Sequence, residues 1–258
     1  MGTFGAALKD WRQIRRRSQL DLAMAAGVSA RHLSFLETGR ARPSRAMVLR
    51  LAAELAVPQA GVNTLLQAAG LAPAYGTRRL TDAEMAPLRD AVDWMLTRHA
   101  PYPAMALDRH WRICALNTPA RSLLAPVGLG EGADMLSELM QNQRLRDSLI
   151  NLAEIERLTL HRLRSELAHF GREPVLEDAI RTLEAHVAAA PDTGAAEGLP
   201  PVIPARYRLG GQELSFFSAI SQFGTVEDIA LSELKIECLF PADEPTRAAL
   251  IALTDAQN

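Results

Sequence analysis

The sequence predicts an all-α domain of five helices followed by an α+β domain built on an antiparallel sheet. Three observations carry this reading. Apolar residues recur at helical spacing through the first 70 residues, strand-like alternation is confined to the later part of the chain, and no regular strand-helix-strand alternation exists that would build a parallel sheet. At 258 residues, 48% hydrophobic and 22% charged, the chain has the composition of an ordinary globular protein and the length for two cores.

In the first domain the helical stripes are Phe4, Leu8 and Trp11; Leu22, Ala23 and Ala26; Leu33 and Leu36; Val48, Leu51 and Leu55; and Val62, Leu65 and Leu66. Ser18 with Asp21 reads as a capping box, Gly27 as the positive-φ stop of the second helix, and Ser29 as the cap of the third, which Gly39 ends. In the second domain Thr81 and Glu84 form another capping box before a helix with Met85, Leu88, Val92 and Met95 on one stripe, ended by Pro101 and Pro103. Residues 104–116 read as two short strands around Asp108 and Arg109, and Asn117 starts a helix carrying Leu123 and Leu124. Leu136 to His186 reads as helical with breaks near Gly171 and Pro174, and a loop rich in Ala, Pro and Gly follows at 190–204. Residues 206–225 read as a hairpin turning at Gly210-Gly211, 233–240 as a strand, and about Glu244 to Leu253 as a terminal helix.

Charge divides the chain in the same place. Residues 1–70 hold ten Lys or Arg against four acids, a balance of +6, while 71–258 hold 18 basic and 26 acidic residues, a balance of −8. A basic head on an acidic remainder suits a polyanion partner, although a solvated charged surface would look the same on charge alone. The order of residues 18–44 decides between them. Ala23 is small where two helices cross, Gly27 and Val28 form the turn, and Leu33 with Leu36 anchor a second helix from behind, which is a helix-turn-helix. Outward-facing Ser29, Ala30, Arg31 and Ser34, with Phe35 nearby, are the candidate base readers. Arg31 is foremost, because a guanidinium can bond guanine O6 and N7 together, and Ala30 could touch a thymine methyl. Gln19 at a helix start, with Arg40, Arg42 and Ser44 on the following loop, are candidates for phosphate contacts. Glu37 reads as an acid that orients a neighbouring arginine. The pair read instead as a protein-binding helical hairpin is the alternative.

Residues 4–70, through SQLDLA, GVS and LSFLETGRARPS, resemble an XRE-type regulator with the lambda-repressor-like five-helix fold. Residues 100–253 are similar to the MmyB-like ligand-binding domain, through YPAMALDRHWRICALN, ELSFFSAISQFGT and ELKIECLFPAD. The resemblance implies a PAS-like sheet enclosing a pocket, with fatty-acid-like molecules as ligands. The expected organisation is a helix-turn-helix DNA-binding domain at 1–72, a linker helix region at 73–99 and a PAS-like ligand-binding domain at 100–258. The expected partners are double-stranded DNA, read by a homodimer with two heads about 34 Å apart, and a lipophilic small-molecule effector. The alternative keeps the DNA-binding head and makes the C-terminal domain a protein-docking or dimerisation module without ligand.

Phe216, Phe217 and Phe223, with Trp111 and Tyr102, could line a cavity or fill a core, and Asn117 or Tyr102 could supply polar anchors. No cofactor, metal site or catalytic set is expected. His161, Ser165 and His169 share a helix face but lack a third ligand at known spacing, and His110 with Cys114 lacks an orienting acid and an oxyanion donor. Cys114 and Cys238 read as small buried hydrophobes, with a redox pair as the lesser alternative. No apolar run reaches the ~18 residues of a membrane span, and the N-terminus lacks a signal-peptide pattern, so a cytoplasmic protein without membrane insertion is expected.

Overall fold

The computed structural model describes residues 3–76, 82–190, 203–223, 229 and 233–255. The chain falls into two compact units, the first holding residues 1–77, 165–173 and 227–229 and the second 78–164, 174–226 and 230–258.

The first unit contains five helices: α1 (Phe4–Ile14), α2 (Gln19–Ala25), α3 (Ala30–Glu37), α4 (Arg45–Glu54) and α5 (Gln59–Ala68). Their starts are set by side chains that satisfy otherwise free N–H groups. The Thr3, Ser18, Ser29 and Ser44 hydroxyls accept from Ala6, Asp21, His32 and Met47 N–H respectively. At α2 the box is reciprocal, since Asp21 also accepts from Ser18 N–H at 3.2 Å. The Ser18 hydroxyl, donating to Asp21 Oδ2 at 2.6 Å, and then that backbone contact hold the Asp21 carboxyl below its ordinary range. Gly27 and Gly39 stop α2 and α3 in the left-handed region, at φ +64° and +74°, where a Cβ would strain the backbone. Leu8, Leu22, Leu33, Leu36, Leu51 and Leu65 are shut off from solvent and form the centre of one core.

Gly5 fixes how closely α1 approaches α3. A Cβ there would lie 2.3 Å from the Glu37 carbonyl oxygen and 2.6 Å from that of Leu36, both backbone atoms that cannot rotate aside. Gly5→Ala is therefore expected to push the two helices apart and destabilise this unit by about 2 kcal/mol, despite alanine's better helix propensity. A urea titration of the full chain monitored by circular dichroism measures it.

Beyond α5 the chain stays fastened. The buried Asn63 side chain accepts from Ala74 and Tyr75 N–H at 2.8 and 3.1 Å and donates to Tyr75 C=O at 2.8 Å. The glycine and proline cluster at 70–76 is thus tied down through residue 75 rather than being a loose connector.

The capping box expected of Thr81 and Glu84 involves Thr81, which lies outside the described residues; the chain makes a 3-10 turn at Ala83–Met85 before α6 (Ala86–Arg98). Pro87 sits in the first turn of α6, where its missing N–H costs nothing. The two expected short strands form as β1 (Ala104–Leu107) and β2 (Ile113–Leu116), followed by α7 (Thr118–Leu124). The long helical stretch breaks at more places than Gly171 and Pro174, giving α8 (Met135–Gln141), α9 (Gln143–Ser148), α10 (Leu152–Phe170) and α11 (Pro174–Ala189). Asparagines make the extra breaks, because their side chains compete for helix hydrogen bonds. Asn142 accepts from Arg144 and Leu145 N–H, and Asn151 accepts from Arg206 N–H and donates to Pro204 C=O. Glu156 of α10, almost fully buried, joins α9 and α11 by pairing with Arg146 at 2.7 Å and His186 at 2.9 Å. Most of the expected loop at 190–204 lies outside the described residues.

Strands β3 (Ala205–Leu209) and β4 (Gln212–Gln222) turn at Gly210 and Gly211, both with positive φ, and β5 (Lys235–Pro241) leads to α12 (Glu244–Asp255). All neighbours in the five-stranded sheet are antiparallel, in the order β2-β1-β5-β4-β3. The expected α+β domain on an antiparallel sheet is what forms. Strand alternation sends Ala104, Ala106 and Ile236 toward Val92 and Leu96 of α6. Their strand neighbours Met105 and Glu237 face the opposite way.

Candidate functional site

The DNA-reading candidates sit on and beside α3. Arg31 is exposed, and its guanidinium lies over the Phe35 ring at 5.3 Å from the centroid; Arg40 lies over the same ring at 5.9 Å. Phe35, named as a contact residue from sequence, is thus a shared platform that holds two cations by their attraction to its π face. Ala30 is half-buried and Ser34 half-buried, while Arg42 is exposed. Ser29 and Ser44 are exposed, but each hydroxyl oxygen already serves as a helix cap.

Gln19 is held from inside. Its side-chain amide donates to Glu37 Oε2 at 2.7 Å, and the same carboxylate takes Arg12 Nε at 2.6 Å and Arg12 Nη2 at 3.0 Å. Arg12 also donates to the Arg17 carbonyl at 2.9 Å. One buried acid therefore ties α1, the start of α2 and the end of α3 into a single frame. Burial pushes the Glu37 carboxyl up, but the Arg12 and Gln19 hydrogen bonds and the Arg12 charge together outweigh it and hold it below the usual carboxylate range. The Arg12 guanidinium is correspondingly raised by its hydrogen bond to Glu37.

The second unit holds a partly open cavity of about 130 Å³. Its floor is the sheet face that carries Met105, Phe216, Ser218, Glu237 and Leu239, and its walls are leucines and methionines of α7, α8, α9 and α10. Trp111, in the turn between β1 and β2, closes one side with φ +64°. Its indole has the Arg162 guanidinium at 5.5 Å and the buried Lys235 ammonium at 4.2 Å from the ring centroid. Arg162 and Glu237 lie 3.7 Å apart and are the only charged residues lining the cavity among the described residues. Tyr207 also lines it, and burial, with the Glu237 charge, pushes the phenol up to about 12, so its hydroxyl keeps its proton.

Of the six ligand-contact residues expected from sequence, Trp111 and Phe216 line this cavity and four do not. Phe217 follows Phe216 in one strand and so points to the other face, where it stacks on Phe240 at 5.3 Å. Tyr102 packs edge-on to His99, whose ring in turn meets Phe240, in the same aromatic group. Phe223 packs on the α6 side of the sheet. Asn117 is consumed by backbone: it caps α7 through Ala120 N–H, accepts from Ala104 N–H and donates to Leu96 and Tyr102 C=O.

Sequence reasoning missed Arg162, Glu237, Tyr207 and Thr159. Ile155, Leu158, Thr159 and Arg162 follow the i, i+3, i+4, i+7 spacing of one helix face, and Glu237 is a charge inside an apolar strand. Both signals were in the sequence.

Nucleophilic chemistry finds little support. Burial, then the Asp108 charge, raise the Cys114 thiol to about 11, and burial with Glu237 raises Cys238, so both remain thiols near neutral pH. His110 Nε2 accepts from Arg109 Nε at 2.9 Å. Among the described residues no group of three His, Cys, Asp or Glu side chains could hold a metal ion, and no helix is long and apolar enough to cross a membrane.

A helix-turn-helix with an arginine-bearing third helix, joined to a domain with an apolar cavity, defines a ligand-sensing transcription regulator. Residues 3–65 match the helix-turn-helix domain family, and residues 88–253 match the MmyB-like transcription regulator ligand binding domain. The chain belongs to the MmyB-like family, and both matched families are regulatory. No curated protein matches the chain. Two solved structures are similar to it over most of their own length. The PAS domain of an HTR-like protein from Haloarcula marismortui is 12% identical, covering 61% of this chain and 97% of that one with a TM-score of 0.27. The PAS domain of BvgS from Bordetella pertussis is 14% identical, covering 65% and 97%, with a TM-score of 0.28.

Proposed function

We propose that this regulator binds double-stranded DNA as a homodimer, with α3 of each protomer in the major groove, and that a lipophilic molecule in the C-terminal cavity sets its DNA affinity. The mostly apolar cavity carries the reading: a domain that served only for docking or dimerisation would gain stability from filling that space. Two heads about one DNA turn apart would read a near-palindrome. A ligand changes occupancy only by binding better to one arrangement of the heads than to the other. Fatty acids, implied by the family resemblance, are one lipophilic class, with the carboxylate reaching Arg162.

In the DNA complex Arg31 reads a base, with Ala30, Ser34 and Phe35 beside it. Gln19, Ser29, Arg40, Arg42 and Ser44 contact the phosphates and set register, the two serines through backbone N–H while their hydroxyls stay in the caps. Arg31→Ala is expected to cost about 1–3 kcal/mol of discrimination at one base position. Arg42→Ala should instead weaken binding to all sequences alike and lower the salt slope by about 1. Operator selection from a random DNA pool, followed by titration at several salt concentrations, separates the two effects. Native mass spectrometry of the purified chain, with DNA binding measured before and after ligand removal, tests the sensor reading. A chain that carries no ligand and whose DNA affinity no lipophile changes would leave the docking-module reading in its place.

A further inference from the structure

Helix α10 has residues in both units. Residues 152–164 belong to the second unit, and the last turn folds with the first, within the segment 165–173. In its first half Ile155, Leu158, Thr159 and Arg162 line the cavity, more residues than α7, α8 or α9 contributes. The last carbonyls of any helix lack partners within it, and at the end of α10 Arg15 serves two of them. Its guanidinium donates to Ala168 C=O at 2.6 Å and His169 C=O at 3.1 Å, and also to Leu55 and Ala56 C=O after α4, at 2.9 and 3.1 Å. The buried Gly171, at φ +80°, abuts the Trp11 indole so closely that a Cβ would lie 2.5 Å from a ring carbon. Between these two regions α10 holds no glycine or proline at which to kink. A shift at Arg162 is therefore carried to Ala168, about 9 Å along the axis, with little bending.

We propose that α10 carries the state of the cavity to the DNA-binding head, and that Arg15, Trp11 and Gly171 form a latch on its end that an occupant opens. The proposal rests on the sensor reading above and supplies its route. A volume of about 130 Å³ is close to that of engineered cavities of about 150 Å³ that hold benzene, so a ten-carbon acyl chain fills it only by moving a wall. The latch yields without unfolding the head. Its hydrogen bonds to α10 are exposed to solvent, and the nearby pair of Arg172 and Asp10, at 3.5 Å, is exposed and contributes little. Beyond the latch lies the frame of the DNA-reading helices: Arg12, next to Trp11 on α1, holds Glu37, which in turn holds Gln19. Opening the latch consumes part of the ligand's binding free energy, so a chain in which it is already weakened binds the ligand more tightly.

The test uses the full chain, native and in two variants, Arg15→Met and Gly171→Ala, which weaken the latch from opposite sides. Neither residue lines the cavity. Arg45→Met is the control, because Arg45 also donates to backbone carbonyls of the first unit, those of Ala72 and Pro73, but not to α10. Each chain is titrated calorimetrically with decanoate, and its affinity for a selected operator is measured with and without decanoate. Both latch variants are expected to bind decanoate at least threefold more tightly than the native chain, and their DNA affinity should no longer change when it is added. Arg45→Met should keep the native decanoate affinity and the native response to it. Either latch variant suffices if the other does not fold, as checked by circular dichroism. An unchanged decanoate affinity in a folded latch variant, or a DNA response that survives there, overturns the latch while the sensor reading stands. An equal gain in Arg45→Met also overturns it, since any loosening of the head would then do the same. If decanoate does not bind the native chain, or leaves its DNA affinity unchanged, the fatty-acid reading fails and the latch built on it falls too.

Discussion

Replacing Asn117 by alanine is expected to destabilise the second unit by about 4 kcal/mol, because one side chain hydrogen-bonds four backbone groups at once. The side-chain oxygen accepts from Ala104 N–H at 3.0 Å and Ala120 N–H at 2.9 Å, and the amide donates to Leu96 C=O at 3.0 Å and Tyr102 C=O at 2.9 Å. These groups belong to the end of α6, the segment before β1, the first residue of β1 and the first turn of α7. Loss of the cap alone costs about 1 kcal/mol, and each buried group left without a partner adds about 1–3 kcal/mol less whatever water recovers. A urea titration of the full chain checks the size. A loss under about 1 kcal/mol would mean that the backbone finds other partners or admits water. In conditions where the variant is folded, the affinity of a cavity probe should stay within about twofold of native, since Asn117 does not line the cavity. A ligand-anchoring role would predict the opposite pattern, with affinity lost and stability kept.

That contrast shows where the sequence was legible. Asn117 at the start of a short helix was visible as a cap, which occupies only its oxygen; that its amide is also consumed, by Leu96 and Tyr102 C=O, depends on contacts from segments 15 and 21 residues away. Phe216 and Phe217 did carry a local warning. Adjacent residues of a strand cannot face one cavity, so naming both contradicted the hairpin that Gly210 and Gly211 had already implied. In the first unit the local signals were nearly sufficient. Serine caps, glycine stops and a 3.6-residue period act over a few residues, and each sits in the chain next to the element it controls. The cavity depends on residues 111, 162, 207 and 237, which only the sheet order brings together. No local rule pairs β1 with β5 across more than a hundred residues, so Arg162 and Glu237 were each readable as oddities but not as partners. Phe35 is the reverse case. Its place in the helix was plain, and Arg31 four residues earlier shares its face, but its role as a seat for Arg40 depends on the path of the loop after Gly39.

Glu37→Ala is expected to be the most damaging change in the first unit, at about 3 kcal/mol, since removing one member of a buried pair leaves the other charge without compensation. The side chains of Glu37 and Arg12 are 3% and 12% exposed, and their two hydrogen bonds share the carboxylate with Gln19. Glu37→Gln keeps a neutral acceptor and should cost about half as much. Acid provides an independent readout. Because Glu37 titrates below its ordinary range when folded, its contribution is complete above the unfolded pKa and is lost as pH falls through the folded one. The native chain should therefore lose stability across the acid range beneath the usual glutamate value, and Glu37→Gln should show a flatter curve there. Function should follow the same carboxylate. If Gln19 meets a phosphate from the position that Glu37 holds it in, Gln19→Ala weakens DNA binding in the native chain and adds almost nothing in Glu37→Ala. Additive losses would instead mean that Gln19 reaches the DNA unaided, and that the acid serves only to bind α1 to α3.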